Sequence, residues 1–330
     1  MKRKKKTIIL ASLIALILLV GIILLTTLCA KTRNTEPVRI CLHEGTSHEA
    51  LVDTLHTRGI LEEGLNTRIF NSLFSILNST VRPGSYIVDP HMNQLSLVRR
   101  LRNGQQSPIR LTIGKFRTPQ QLNDYLNKKL MHNNFDIPLD SFYLIRPNTY
   151  EFYWTASPEQ FMRRMRKEYD SFVLSHPIPP SAPESDEGFS LSLQDVIILA
   201  SIVEEESNYN PEKPLIASVY LNRLKKSMPL QADPTVKYAV GDFTLQRILN
   251  KHLSVESPFN TYLHTGLPPA PICLPSNTSV DAVLNAPETG YIYFCASDKM
   301  DGTHRFASSL AQHNQNAAAF HRALNARGIK

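Results

Sequence analysis

The sequence predicts an α+β protein that follows a single amino-terminal transmembrane helix. An uncharged apolar stretch, Thr7 to Leu28, comes directly after a run of basic residues at positions 2–6. Downstream, short alternating patterns typical of strands are interspersed with patterns of helical period. A proline-rich segment then separates two such regions. These observations predict a membrane anchor, a small α+β module and a larger α+β domain.

The net charge of +7 is concentrated at the amino terminus. Residues 2–6 contribute five of these charges and leave +2 for the rest of the chain. No basic stripe interleaved with aromatic residues follows, so the electrostatic footprint of a nucleic-acid-binding protein is missing. We interpret residues 1–6 as a basic cytoplasmic tail and expect no nucleic-acid partner.

Residues 7–28 are long enough to cross a bilayer, since a helix of this length spans about 33 Å. A cleaved signal peptide is the alternative, but its apolar core would be shorter and Leu28-Cys29-Ala30 lacks the usual small-residue exit. Leu28 is also larger than the residue that normally precedes a lipoprotein cysteine. The positive-inside rule then predicts a single-pass protein of the cell (inner) membrane, with a cytoplasmic amino terminus and an extracytoplasmic, periplasmic bulk.

The cysteines indicate neither a metal site nor a cofactor site. Cys29, Cys41, Cys273 and Cys295 show no C-x-x-C spacing, and the chain has no phosphate loop or nucleophile elbow. A disulfide between Cys273 and Cys295 stays open at this stage.

Residues 37–113 have the pattern of a small α+β module. A strand at Val38–Leu42 leads to a helix that Ser47 can cap and that Gly59 can end. Further patterns predict helices at Ile69–Leu77 and Leu95–Leu101 and strands at Tyr86–Val88 and Ile109–Ile113.

Residues 114–188 are interpreted as a connecting helical segment followed by a proline-rich linker. The aromatic run within Asn148–Trp154 interrupts the helical pattern and fits either a core or a sugar-stacking platform. The linker, His176 to Gly188, contains four prolines. Residues 189–330 then form the larger domain.

The helix that opens this domain carries the first candidate for chemistry. Ser192 and Asp195 are spaced as a capping box, and the helix continues to Glu206. At 100° per residue, Glu206 falls in the apolar sector, Glu205 on the polar face and Glu204 at the edge. Burial of a carboxyl group raises its pKa, which is what a general acid requires. The alternative for Glu206 is that the helix end frays and the side chain lies in solvent. For its neighbours, we expect Glu205 to be solvated, and Glu204 could form an ion pair at the rim.

The remaining polar residues come in compact groups rich in hydrogen-bonding side chains. Gln, Asn, Thr and Tyr suit a site that binds sugar hydroxyls and N-acetyl groups. The groups are Asn222-Arg223, Gln231 to Thr235, Asn260-Thr261-Tyr262 with Gly266 to Pro269, His304-Arg305-Phe306 and His313-Asn314.

These motifs, in this order, resemble the endolytic murein transglycosylase family of the MltG/YceG type. The resemblance is specific from Leu199 to Asn314 and weaker upstream. The motifs that carry it are Ala200 to Glu206, Ala217 to Leu224, Leu230 to Val236, Tyr262 to Pro269, Tyr291 to Phe294 and His313-Asn314, with Arg82 to Tyr86 and Asn148 to Phe152 upstream. Departures from the family pattern are Glu205 in place of a common Lys, Asn148 in place of a common Asp, and Leu274-Pro275-Ser276 in place of Asn-Pro-Gly.

The resemblance implies a membrane-anchored lyase that cuts peptidoglycan glycan strands. Residues 37–113 would be a LysM-like glycan-binding subdomain and residues 189–330 the catalytic transglycosylase domain. Glu206 would be the single acid/base, forming 1,6-anhydro-MurNAc ends without water and terminating nascent strands near the membrane. Substrate-binding candidates are Gln231, Asp233, Asn260 and Tyr262. Which peptidoglycan synthases or divisome/elongasome proteins act as partners stays open.

Two other functions stay open at this stage. One is a peptidoglycan glycoside hydrolase, in which Asp233 or Glu151 supplies the second carboxylate that most glycosidases need. The other is a non-catalytic, membrane-anchored protein that only binds glycan strands.

Overall fold

The structure is a computed structural model that describes residues 12–21, 25–26, 29–177, 190–245 and 247–327. The described residues form two compact units. Unit 1 comprises those up to Leu111 together with 129–132 and 151–156, and unit 2 comprises the others. The segment that we interpreted as a connector, 114–188, is therefore shared, with most of its described residues in unit 2.

The predicted membrane anchor lies only partly within the described residues. Positions 7–11, 22–24 and 27–28 fall outside them, as does the predicted tail at 1–6, and residues 12–21 are helical. Among the residues that the structure describes, no helix is both long and apolar enough to cross a membrane.

Unit 1 is built on a two-stranded antiparallel sheet. Strand β1 (Val38–Leu42) pairs with β2 (Gly84–Val88), with Val38 opposite Val88. Between the strands lie helices α1 (His48–Thr57) and α2 (Leu65–Ile76), and α3 (Gln94–Arg102) follows. The predicted strands and helices are confirmed, although α2 begins four residues earlier than its apolar pattern does.

The core of unit 1 forms because one face of each strand and one face of each helix is apolar. Alternate strand residues such as Ile40 and Tyr86 are buried and contact buried helix residues such as Leu51, Phe70 and Leu97. As predicted, Ser47 caps α1 by accepting a hydrogen bond from the backbone of Ala50 at 3.1 Å, and Gly59 follows the helix with a φ of +67°. Unit 1 thus has a hydrophobic core of its own.

A second small sheet has two strands. Strand β3 (Ile109–Ile113) pairs with β4 (Asn148–Phe152). In the aromatic run, Tyr150 and Phe152 are buried, whereas Tyr153 is exposed, so these two rings belong to the core and not to an open platform. Helices α4 (Pro119–Lys129) and α5 (Pro158–Ser175) flank this sheet in the sequence.

Unit 2 is organised around helix α6 (Leu193–Glu206). The predicted capping box is present, because the Ser192 side chain accepts from the backbone of Asp195 while the Asp195 carboxylate accepts from the backbone of Ser192. All residues from Val196 to Val203 are buried. The other elements are α7 (Lys213–Lys225), α8 (Asp233–Val240), α9 (Asn250–Leu253), α10 (Asn277–Leu284), α11 (Leu310–Ala326), two short 3-10 helices (Leu139–Leu144 and Asn210–Glu212), and strands β5 (Tyr293–Ala296) and β6 (His304–Ala307).

Helix α6 is covered on more sides than its amphipathic pattern predicts. Ser201 lies one helical turn before Glu205, on the face predicted to be polar, but it is fully buried. It donates a hydrogen bond to the Ile198 carbonyl at 2.7 Å and accepts one from the Ile272 amide at 3.0 Å. The loop that follows residue 270 therefore packs against the face expected to contact water. Buried on several sides, the helix holds its carboxyl-terminal end in a fixed position.

Candidate functional site

Glu206 is the last residue of α6 and lies at the edge of open space within unit 2. The following residue, Ser207, has extended backbone angles (φ −145°, ψ 136°), so the helix ends there. Glu206 lines two cavities of unit 2, one of about 350 Å³ and one of about 640 Å³. The alternative of a frayed helix end in bulk solvent is wrong, because the carboxyl group is held in place by a neighbouring helix.

That neighbour is α7, whose Tyr220 is almost completely buried. Its hydroxyl donates a hydrogen bond of 2.5 Å to Oε1 of Glu206, and its ring meets Phe294 edge-on. Burial raises the pKa of Glu206 to about 7, the Tyr220 hydrogen bond acts against this, and the Asp233 charge adds to it. Near neutral pH the Glu206 carboxyl group can therefore hold or release a proton.

Asp233 and Tyr262 line the smaller cavity together with Glu206. The Tyr262 hydroxyl donates a hydrogen bond of 2.7 Å to Oδ1 of Asp233. Burial, and then the adjacent carboxylate of Asp233, raises the pKa of the Tyr262 phenol well above its usual value. Tyr262 thus stays protonated and fixes the Asp233 carboxylate beside the reactive acid.

Gln231 lines the same cavity from a strained turn. Its backbone lies in the left-handed region with a φ of 51°, and its amide donates to the Thr261 carbonyl at 3.0 Å. Its side-chain oxygen accepts a hydrogen bond of 3.2 Å from Arg223. Three of the four predicted substrate-binding residues therefore come together at the cavity of Glu206.

The fourth, Asn260, does not line that cavity. It is fully buried, and its amide nitrogen donates to the carbonyls of Leu253 and Val255 at 3.0 and 2.9 Å. Its oxygen accepts from the Tyr262 amide at 3.0 Å. Because these bonds occupy the side chain, Asn260 shapes the loop that carries Tyr262.

Arg223, Tyr293 and His313 also line this cavity. Arg223 donates to backbone carbonyls at 292, 229 and 230 and lies 5.3 Å from the Tyr293 ring, on which His313 also stacks at 5.3 Å. Burial, and then the Arg223 charge, lowers the pKa of His313. The tertiary fold brings these groups, with Tyr220, to one site. In the sequence, Arg223 and His313 belong to the polar groups, whereas Tyr220 and Tyr293 occur only within the motifs of the family resemblance.

The other two glutamates of the motif are held by separate sets of partners. Glu204 forms a 3.0 Å ion pair with Lys213 and accepts hydrogen bonds from Ser276 and Ser279. The predicted ion pair is therefore present, but it is buried rather than at the rim, since the Lys213 side chain is 4% exposed. The prediction that Glu205 is solvated is wrong. The side chain is 14% exposed and pairs with Lys115 and Arg117, each at 3.0 Å.

The remaining predicted groups lie apart from this site. Glu151, one of the two candidate second carboxylates, is exposed and belongs to unit 1, while Asp233 lies in the cavity of Glu206. Cys273 is buried, Cys295 is partly buried and both are free thiols, so they form no disulfide. Within the described ranges, no group of His, Cys, Asp and Glu side chains is arranged to hold a metal ion.

Comparisons with known proteins agree on one family. A family model described as the YceG-like family matches residues 40–319. A Bacillus subtilis (strain 168) protein named endolytic murein transglycosylase is 38% identical over 194 residues, which cover 58% of this chain and 49% of that protein. A Streptococcus pneumoniae (serotype 2, strain D39) protein of the same name is 31% identical over 133 residues, which cover 39% of this chain and 24% of that protein. The chain thus spans about half the length, or less, of the curated relatives it matches.

A solved structure matches over most of the chain. The crystal structure of a yceG-like protein from Listeria monocytogenes is 28% identical, with a TM-score of 0.50. The match covers 86% of this chain and 99% of that one.

Proposed function

Because the chain belongs to the YceG-like family, we propose that it is an endolytic peptidoglycan lytic transglycosylase in which Glu206 is the catalytic acid and base. Its relatives in Bacillus and Streptococcus carry the name endolytic murein transglycosylase. The observation that carries the proposal is a carboxyl group with a pKa raised to about 7 at a cavity edge, hydrogen-bonded by Tyr220.

The reaction needs only one such group. Protonated Glu206 donates its proton to the glycosidic oxygen between MurNAc and GlcNAc, and the bond from that oxygen to C1 of MurNAc breaks. The C6 hydroxyl of the same MurNAc then bonds to C1, and its proton passes to the Glu206 carboxylate. The product is a 1,6-anhydro-MurNAc end and a free GlcNAc hydroxyl, no water is consumed, and Glu206 is protonated again.

Tyr220 supports this dual role because it binds only one of the two carboxyl oxygens of Glu206 and leaves the other available for proton transfer. It occupies Oε1 of Glu206, and within the described part of the chain no hydrogen bond is made to Oε2. Oε2 is therefore the oxygen that delivers and recovers the proton. In addition, the Asp233 carboxylate lies in the same cavity, where a negative charge stabilises positive charge that develops at C1.

Asp233 also favours a second candidate function, a glycoside hydrolase that uses two carboxylates. In that reaction Asp233 would activate water or attack C1 itself, and water would appear in the product. Purified glycan strands digested with the full chain distinguish the two reactions by mass spectrometry. Anhydro-MurNAc ends, lighter by one water, are expected; reducing MurNAc ends would overturn the lyase proposal and support the hydrolase.

We further propose that residues 37–113 form a LysM-like subdomain that binds glycan strands. The separate hydrophobic core of unit 1 supports a module that folds as one element. The full chain carrying Glu206→Gln should co-sediment with insoluble peptidoglycan. Recovery of this variant entirely in the supernatant would contradict glycan binding, and binding without cleavage by the unmodified chain would favour the non-catalytic alternative.

Localisation is proposed from the sequence. Residues 7–28 would anchor the protein in the cell membrane, with the units outside the cytoplasm, where cuts near the membrane terminate nascent strands. Protease added to spheroplasts should digest the units of the full-length protein, and their protection would contradict this orientation. Expression of the active chain should also shorten new glycan strands relative to expression of the Glu206→Gln variant. Because the proposed cuts lie near the membrane, we expect partners among the peptidoglycan synthases and the divisome or elongasome proteins.

A further inference from the structure

Glu206 borders two cavities of unit 2 that differ in their chemistry. The smaller one contains the Asp233 carboxylate and the Tyr262 hydroxyl. The larger one is lined by residues 207–209, which follow α6, by the loop between β5 and β6, and by Phe320 of α11. A linear substrate whose bond lies at Glu206 would therefore extend into both cavities.

One wall of the larger cavity is the loop between β5 and β6, which is held by hydrogen bonds. In the loop between the strands, the Ser297 amide donates to the Thr303 carbonyl at 2.8 Å, and the Met300 amide donates to the Ser297 carbonyl at 3.0 Å. Glu212 fixes the end of this loop, because one carboxylate oxygen accepts from the His304 amide at 2.8 Å and the other lies 2.7 Å from its Nδ1.

The exposed surface of this cavity is mainly apolar, whereas that of the smaller cavity is more polar than apolar. The backbone amide of Tyr209, three residues beyond Glu206, donates to the Ser207 hydroxyl at 3.0 Å, and Tyr209 is 51% exposed. Phe320 and Met300 also line the cavity. Besides Glu206, the carboxylate in this cavity is Asp301, which accepts hydrogen bonds from the amide and hydroxyl of Thr303 at 3.1 and 2.5 Å and is therefore engaged within its own loop.

The two linings suit the two sugars on either side of the broken bond. Positive charge develops at C1 of the reacting sugar, and a carboxylate facing that sugar stabilises it. The sugar that leaves carries no such charge and receives a proton on its O4 oxygen. For this sugar, the larger cavity provides aromatic rings on which the apolar face of a sugar can pack, together with polar side chains such as Asn208 and His304 that can bind its hydroxyl groups.

We propose that the glycan strand runs through this site in one direction, with the reacting MurNAc in the cavity of Asp233 and Tyr262 and the leaving GlcNAc in the cavity of Tyr209 and the β5–β6 loop. This assignment rests on the proposed transglycosylase function. It makes Tyr209 a substrate-positioning residue on the leaving side. Glu206, at the border of the two cavities, is then placed at the oxygen that joins the two sugars.

Two glycan fragments without peptide stems test the direction in the full chain carrying Glu206→Gln, which is expected to bind without cleaving. The first fragment ends in 1,6-anhydro-MurNAc and has its terminal GlcNAc capped at O4 with galactose, so that only its anhydro end fits. The second has a free terminal GlcNAc and a MurNAc end reduced to muramitol, so that only its GlcNAc end fits. Binding of each is measured by calorimetry.

Adding Tyr209→Ala should weaken binding of the free-GlcNAc fragment about tenfold, the effect of losing one aromatic contact, and change binding of the anhydro fragment by less than about twofold. Tyr209→Phe, which keeps the ring, should restore the affinity. The matched control is Tyr153→Ala, which removes another exposed tyrosine (58% exposed) that belongs to unit 1.

The reverse pattern, with the anhydro fragment weakened instead, would overturn the direction. The proposed direction would also be overturned if Tyr209→Ala affected both fragments equally or affected neither. It would likewise be overturned if neither fragment bound the full chain that carries Glu206→Gln alone. The proposed function fails separately, when the unmodified chain releases no anhydro ends from glycan strands. Because one test measures binding and the other measures product mass, the two failures are distinguishable.

Discussion

The Tyr220 hydroxyl donates a 2.5 Å hydrogen bond to Oε1 of Glu206, and this contact opposes the effect of burial on the same carboxyl group. Burial disfavours the charged form, whereas a donor favours it. The balance leaves the pKa of Glu206 at about 7. A group that must first give up a proton and then recover it needs such an intermediate value, because both forms are then accessible at neutral pH.

Glu206→Gln should abolish cleavage while leaving the fold intact. The amide has nearly the same shape and its oxygen can still accept from Tyr220, but it cannot donate a proton to a leaving oxygen. We expect turnover of glycan strands to fall by at least about a thousandfold, within the range of general acid catalysis. Chromatography of released fragments measures the rate, with circular dichroism as the control for folding. Residual cleavage near the wild-type rate would mean that another group is the acid.

Tyr220→Phe should move the pH dependence of kcat/KM to higher pH. The reaction starts from protonated Glu206, so activity falls as pH rises through its pKa of about 7. Without the Tyr220 donor, the carboxylate loses a stabilising bond and the descending limb should shift upward by about one pH unit. Initial rates between pH 5 and about 9 measure the limb. A shift to lower pH would contradict the role of the hydrogen bond.

Stability should depend on pH through the same group. The pKa of Glu206 is raised from 4.5 to about 7 in the folded state, so the folded protein loses stability as pH rises through this interval and then levels off. Glu206→Gln lacks this titration. The difference in the free energy of unfolding, variant minus wild type, should therefore be about 2–3 kcal/mol larger at pH 8 than at pH 4. Urea titrations at both values measure the difference, and a constant difference would contradict the buried position.

Asp233→Asn should slow cleavage without changing the product. The Asn oxygen can still accept from the Tyr262 hydroxyl, which now donates to Asp233 at 2.7 Å, but the negative charge is removed. We expect a loss of roughly a hundredfold in kcat, comparable to removal of one electrostatic contact, and anhydro ends throughout. If wild type forms reducing ends and Asp233→Asn loses them completely, Asp233 is instead the second carboxylate of a hydrolase.

Glu204→Ala should destabilise unit 2 because it isolates a buried charge. The Lys213 side chain is 4% exposed and its ammonium group lies 3.0 Å from the Glu204 carboxylate. Breaking this pair should reduce the free energy of unfolding by roughly 3 kcal/mol. The double variant Glu204→Gln, Lys213→Met should recover most of that loss, since no unpaired charge remains. Equal loss in the single and double variants would show that the ion pair is not the cause.

The local features of this protein could be predicted from its sequence. Ser192 and Asp195 define the start of α6, and the helical phase from there places Glu206 toward apolar surroundings, as the structure shows. Likewise, the alternation of apolar residues defines strands β1 and β2. Such features depend on neighbours within about four residues, so periodicity and capping chemistry contain the necessary information.

The partners of each side chain were decided only by the tertiary structure. Glu205 is paired because Arg117, 88 residues earlier, is brought against a helix face that periodicity assigns to solvent. Asn260 is a residue type that often binds sugars, yet its side-chain hydrogen bonds go to backbone groups of its own loop. Tyr220, Arg223 and His313 meet at Glu206 because distant elements pack together. Local sequence determines the helix and the residue at its end, but burial and charge pairing depend on long-range packing, and these set the proton affinity of that residue.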